Sequence, residues 1–133
     1  MAFLKISKAF ATFALLSILL TVIAPSLAQA ETSPLAKFKG VWVVKDTVVV
    51  MVTVSKTPDG WKVTAQNDED AVVDEVNAYH LLVHSTTRNG TIQNYYSLAL
   101  TGDDSAMEEF YQTNNGQRSA MMEQHMNLVR KPQ

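Results

Sequence analysis

The chain reads as an all-β domain, an antiparallel meander of about eight strands closing into a small barrel. Three observations carry that reading. Tight-turn chemistry recurs at Thr57-Pro58-Asp59-Gly60, Asn89-Gly90, Gly102-Asp103-Asp104 and Asn114-Asn115-Gly116. Each places a residue suited to positive φ, or to starting a turn, between two longer runs. The runs are rich in β-branched and aromatic residues, which fit a pleated, half-buried surface. Several of them alternate with period two.

Past a short leader, Glu31 to Lys39, strands are expected near 41–44, 47–55, 61–66, 71–76, 79–87, 91–101, 107–113 and 119–130. Val48 to Val54 is apolar on both faces apart from Thr53. Such a stretch suits a strand covered twice, or an outer patch that meets a partner. Trp61, Val63 and Ala65 share one face and Lys62, Thr64 and Gln66 the other; Tyr79, Leu81 and Val83 oppose His80, Leu82 and His84 in the same way.

The last segment, 105–130, has two readings. Ser105-Ala106-Met107-Glu108 has the form of a helix capping box, and Met121, Met122, His125, Met126 and Val129 fall at helical spacing. Asn114-Asn115-Gly116 instead suits a hairpin turn, which favours two strands. The strand reading is preferred and a helical ending is the alternative.

Residues 1–30 carry the pattern of a cleavable export signal: Lys5 and Lys8, an apolar run from Ala9 to Ala24, then Pro25-Ser26-Leu27-Ala28-Gln29-Ala30. The run is about sixteen residues, short of the roughly twenty that a helix needs to cross a hydrocarbon core, so no stable membrane anchor is expected. Residues 31–133 then form one domain working in the periplasm or as a secreted protein.

The sequence contains no cysteine. In a disulfide-permissive compartment the core must therefore hold by packing alone, which weakly favours a bacterial periplasm. The formal net charge is −2, and loss of the leader removes two lysines and no acid. Such a balance disfavours nucleic acid as a partner, because backbone binding needs a basic footprint.

Leu35-Ala36-Lys37-Phe38-Lys39-Gly40-Val41-Trp42 resembles the opening of small bacterial lipocalin-like proteins, where a short helical turn leads into G-x-W at the first strand. Leu128-Val129-Arg130-Lys131 is similar to the closing strand of that group, and Leu98-Ala99-Leu100-Thr101-Gly102-Asp103 followed by Asn115-Gly116 to its late hairpins. The resemblance implies that Arg130 packs over Trp42 and closes one barrel end, with Gly40 giving the backbone a tight turn beneath. A guanidinium over an indole gains cation–π attraction, so the implied role is structural.

Chemistry-bearing residues are sparse. His80 and His84 would lie about 13 Å apart on a strand, too far to share an ion, and read as solvent-facing. Met122, His125 and Met126 suit Cu(I), but only if the ending is helical. Otherwise methionine is adaptable core filler. The acids of 67–70 and 74–75 lack calcium-loop spacing and read as a solvated loop. Asn89-Gly90-Thr91 fits a glycosylation triplet that arises often by chance.

The sequence has no G-x-S-x-G, no H-E-x-x-H, no phosphate-cradling glycine loop and no cysteine nucleophile, so a non-enzymatic protein without cofactor is expected. Tyr79, Tyr96, Phe110 and Tyr111, with Met122 and Met126, are the candidates to line a barrel mouth. A small apolar or amphipathic ligand there is the first expectation. The alternative is a solid core, with loops or the Val48–Val54 surface gripping another envelope protein.

Overall fold

The computed structural model describes residues 33–87 and 89–132; the export signal expected over 1–30 lies outside them. A 3-10 turn, Pro34–Phe38, leads into β1 (Gly40–Val44), β2 (Val50–Thr57), β3 (Gly60–Ala65), β4 (Val72–Val76), β5 (His80–Thr86), β6 (Ile92–Gly102), β7 (Ser105–Asn114) and β8 (Gln117–Arg130). A second 3-10 turn, Gln66–Asp68, joins β3 to β4. The eight strands form one antiparallel sheet in the order β3-β2-β1-β8-β7-β6-β5-β4.

The sheet is nearly closed into a barrel. Edge strand β3 meets the connection leading into the other edge strand, β4, at a bridge between Thr64 and Asp70, where the Ala65 amide donates to the Glu69 carbonyl at 2.7 Å and the Ala71 amide to the Val63 carbonyl at 3.1 Å. Beyond that bridge β3 and β4 part. The curl brings the two edges together at that one point and leaves β3 and β4 otherwise unpaired on their outer sides.

Both readings of the last segment are resolved in favour of strands. Asn115 at φ 50° and Gly116 at φ 82° make the turn between β7 and β8, conformations that asparagine and glycine tolerate. The Ser105–Glu108 capping pattern is not used. β7 pairs with neighbours on both sides, from Gly102↔Ser105 to Asn114↔Gln117, with the register toward β8 shifting between Phe110 and Gln112. The helical spacing of the methionines is incidental.

The second strand begins at Val50, three residues later than the sequence suggests. Asp46 takes φ 63°, and the Thr47 hydroxyl donates to the Val44 carbonyl and accepts from the Val49 amide, which holds 45–49 as a turn. Val48 is consequently 92% exposed, so the stretch from Val48 is not covered twice; burial starts at Met51, Val52 and Val54.

The core is the barrel interior: Phe38, Trp42, Val52, Val54, Leu81, Val83, Leu98 and Leu128 are essentially sealed from water. Each such side chain contributes about 1.5–3 kcal/mol by leaving water. One end is closed by Trp42 and Arg130, directly paired across β1 and β8. The guanidinium carbon sits 4.7 Å from the indole centroid, and the indole N–H donates to the Phe38 carbonyl at 2.9 Å.

Arg130 also donates to the carbonyls of Lys37, Lys39 and Asp103, and its Nε lies 3.1 Å from the Asp104 carboxylate. Gly40 lies under it at φ 132°, and a Cβ there would come within 3.1 Å of the Arg130 stem. Both the backbone angle and the close approach require glycine.

Strand length differs around the barrel. β1 covers only the last residues of β8, through Val44↔Leu128, so the earlier part of β8 has β7 as its only strand neighbour, paired at 117–119 and 124–126 with an irregularity between. The β7–β8 hairpin therefore projects past β1 and forms one wall of the other, open end.

Candidate functional site

Register fixes what the barrel wall shows toward its interior near the open end. The deepest rung across β5, β6, β7 and β8 is Leu81, Leu98, Glu108 and Met126; the next is Val83, Tyr96, Phe110 and Gln124. Above them Ser85, Asn94 and Gln112 follow, with the Gln112 amide donating to Asn94 Oδ1 at 2.7 Å. The inner wall thus grades from apolar to polar toward the mouth, with one carboxyl inserted in its apolar part.

A cavity of about 310 Å³ opens at this end. Val44, Val49, Met51, Phe110 and Met126 give it apolar walls, and Gln66 and Gln124 a polar rim. The projecting hairpin supplies one side, the 45–49 turn and β2 the other. A concave, mainly apolar site with a few placed polar groups suits a small molecule.

Glu108 is 0% exposed, and neither of its carboxyl oxygens has a partner among the described residues. Burial alone pushes its carboxyl up to about 8, so at neutral pH it is mostly protonated. Burial likewise pushes the Tyr96 phenol up to about 12, against the opposing pull of the Ser85 hydroxyl, and the Glu108 and Glu69 carboxylates add to the rise. The Ser85 hydroxyl is buried without a well-formed bond. Two polar side chains, Ser85 and Glu108, therefore stand in the core near the cavity floor without a well-formed hydrogen bond among the described residues. In folded proteins such groups are few and call for a reason.

Of the residues expected at the mouth, the structure brings together Phe110 and Met126, with Tyr96 beside Phe110 in the same rung. It does not place the others there. Tyr79 precedes β5, held by its amide to Asn77 Oδ1 at 2.9 Å, and is 72% exposed, with the Lys37 ammonium 5.6 Å from its ring. The bend at Asn77 takes it off the inner face. Tyr111 follows Phe110 on a strand and so points outward, stacked on Tyr95 at 4.8 Å under the Arg118 guanidinium. Met122 lies on the projecting hairpin, partly exposed, away from the cavity walls.

The strand also dissolves the Cu(I) set. Met126 turns inward while His125, its neighbour, lies on the outer face within 3.6 Å of Glu123, and four strand residues separate Met122 from Met126 by about 13 Å. His80 and His84 are outward but not free: His80 Nε2 meets Ser97 Oγ at 2.7 Å, and His84 Nδ1 meets Asp74 Oδ2 at 2.6 Å.

Among the described residues Glu109, Glu123 and His125 bring one possible ligand atom each within 4.8 Å of one another. Arg118 already bridges the two carboxylates, so the charge that would draw a cation is neutralised in place. A larger concavity of about 500 Å³ lies near Lys37, Tyr79, Leu100 and Asp103. Of its two cations, Arg130 is committed to barrel closure and Lys37 lies over the Tyr79 ring.

Sequence reasoning missed Glu108 as an interior residue, although its place two before Phe110 puts both on one face of a strand. It also missed Val44, Val49 and Met51, which face the mouth only because of the turn at 45–49. The chain matches no protein-family model, no curated protein and no solved structure.

Proposed function

We propose that this chain is an exported, non-enzymatic binding protein of lipocalin-like type whose open barrel end holds a small apolar or amphipathic molecule. The observation that carries the reading is the cavity among Val44, Met51, Phe110 and Met126, on the inner wall and rimmed by Gln66 and Gln124. Its volume suits one small molecule. The Trp42–Arg130 stack over Gly40 supports the lipocalin-like comparison, and the Lys5–Ala30 pattern supports export.

The test is titration with phenylnaphthylamine, an uncharged probe that brightens in apolar surroundings. Met126→Arg places a long cation in the cavity and is expected to weaken binding about tenfold or more, while Met121→Arg on the exposed hairpin leaves it unchanged. Equal binding by both variants contradicts the site.

Val48, 92% exposed at the tip of the 45–49 turn, favours a second reading in which that rim docks another envelope protein. Val48→Asp then abolishes capture of the partner in a pull-down from envelope extract while leaving probe binding intact. Loss of probe binding with no partner captured by the parent chain argues against it.

A further inference from the structure

Glu108 needs a reason to be where it is. Replacing an interior leucine by a carboxylic acid destabilises a barrel, and an unpartnered buried acid costs about 1–3 kcal/mol even when neutral. Glu108 shares its rung with Met126, which lines the cavity, and shares its strand face with Phe110, which lines it as well. Among the described residues no lysine, arginine or histidine faces it. Its neighbours are Leu81 on β5, Leu98 and Tyr96 on β6, and Met126 on β8, with Glu69 acting on Tyr96 from the β3–β4 connection. The surroundings supply only neutral or negative groups, and the missing counterpart is a cation.

We propose that the mouth selects amphipathic amines, the apolar body packing on Met51 and Phe110 and the ammonium displacing Met126 to pair with Glu108. This rests on the open end being a ligand site. Methionine, unbranched and adaptable, suits the moving part of such a floor. Pairing restores a charge partner to the buried carboxyl, and the net charge of −2 favours the approach of cations over anions. Uptake has a proton balance: the amine arrives as ammonium, and Glu108, neutral in the free protein, gives its proton to solvent as it becomes the carboxylate. Amine affinity therefore rises with pH up to about 8, where the free carboxyl is already ionised.

The test compares decylamine, decanol and decanoate, three probes with one tail and different heads, by calorimetry below their micelle concentrations. Decylamine is expected to bind about tenfold or more tighter than decanol at pH 7, with decanoate weakest. Glu108→Gln, neutral and of similar shape, is expected to bring decylamine and decanol within about twofold of each other while keeping decanol binding. On the unaltered protein, two buffers of different ionisation enthalpy should show about one proton released per decylamine and none per decanol.

Decanol equal to decylamine, decanoate tighter than decanol, or an amine preference that survives Glu108→Gln overturns the amine assignment and leaves the mouth as a site. Failure of all three probes to bind overturns both.

Discussion

The two ends of the barrel treat their charged groups in opposite ways. At the closed end the Arg130 guanidinium has an indole beneath it, three carbonyls around it and the Asp104 carboxylate beside it. At the open end Glu108, more deeply buried, has no hydrogen-bond partner among the described residues, and the Ser85 hydroxyl near it has none either. The contrast separates residues that hold the fold from residues the fold tolerates. An ionisable group ringed by partners on most of its atoms reads as structure; one that is buried with none is a standing destabilisation, kept where function supplies the counterpart.

Substitutions at each end sharpen the contrast, and the largest effect belongs to the closed end. Trp42→Ala removes the biggest sealed side chain and the seat of the guanidinium, and urea unfolding should show a loss of about 4 kcal/mol. At the open end the sign reverses. The folded carboxyl of Glu108 titrates at about 8 against an ordinary 4.5, so between those values the unfolded chain sheds a proton that the folded chain keeps.

Glu108 therefore erodes stability as pH rises from about 4.5 to 8, at up to about 1.4 kcal/mol per pH unit. Glu108→Gln should match the parent protein within about 1 kcal/mol at pH 4.5 and exceed it by on the order of 3 kcal/mol at pH 8, as read from paired denaturation curves. A parent chain that is the more stable of the two at pH 8 would mean that Glu108 is paired after all.

Smaller effects bound the comparison. Arg130→Lys keeps the charge but loses the planar fork that reaches several carbonyls, for an expected cost of about 2 kcal/mol in the same assay. Met121→Lys, on the outside of the hairpin at 95% exposure, should change stability by less than about 0.5 kcal/mol. A large loss there would show that the hairpin packs against something.

Much of the fold was legible because it is punctuated. Asn115-Gly116 and Gly60 take the positive φ that their identities suit, and Trp61, Val63 and Ala65 keep the period-two pattern. The sequence misled where side-chain direction depends on a local bend. The turn held by Thr47 pulls Val48 and Val49 out of the expected strand, and Asn77 turns Tyr79 away from the interior.

Tyr111 could have been set aside from sequence alone, since consecutive strand residues face opposite ways and Phe110 already faces in. Glu108 was hidden by its companion. Glu108-Glu109 looks like a solvated pair, yet on a strand one of two adjacent residues must face the core, and the face that holds Ala106 and Phe110 is the inner one.

Methionine methyl resonances offer the most direct reading of the open end, because the residues carrying them sample both sides of the wall. On addition of decanol the methyls of Met51 and Met126 should shift with saturation while those of Met107 and Met121, on the outer surface, stay in place. Shifts confined to Met107 or Met121, or none at Met51 and Met126 at any decanol concentration below its solubility limit, would contradict a ligand site at the barrel mouth.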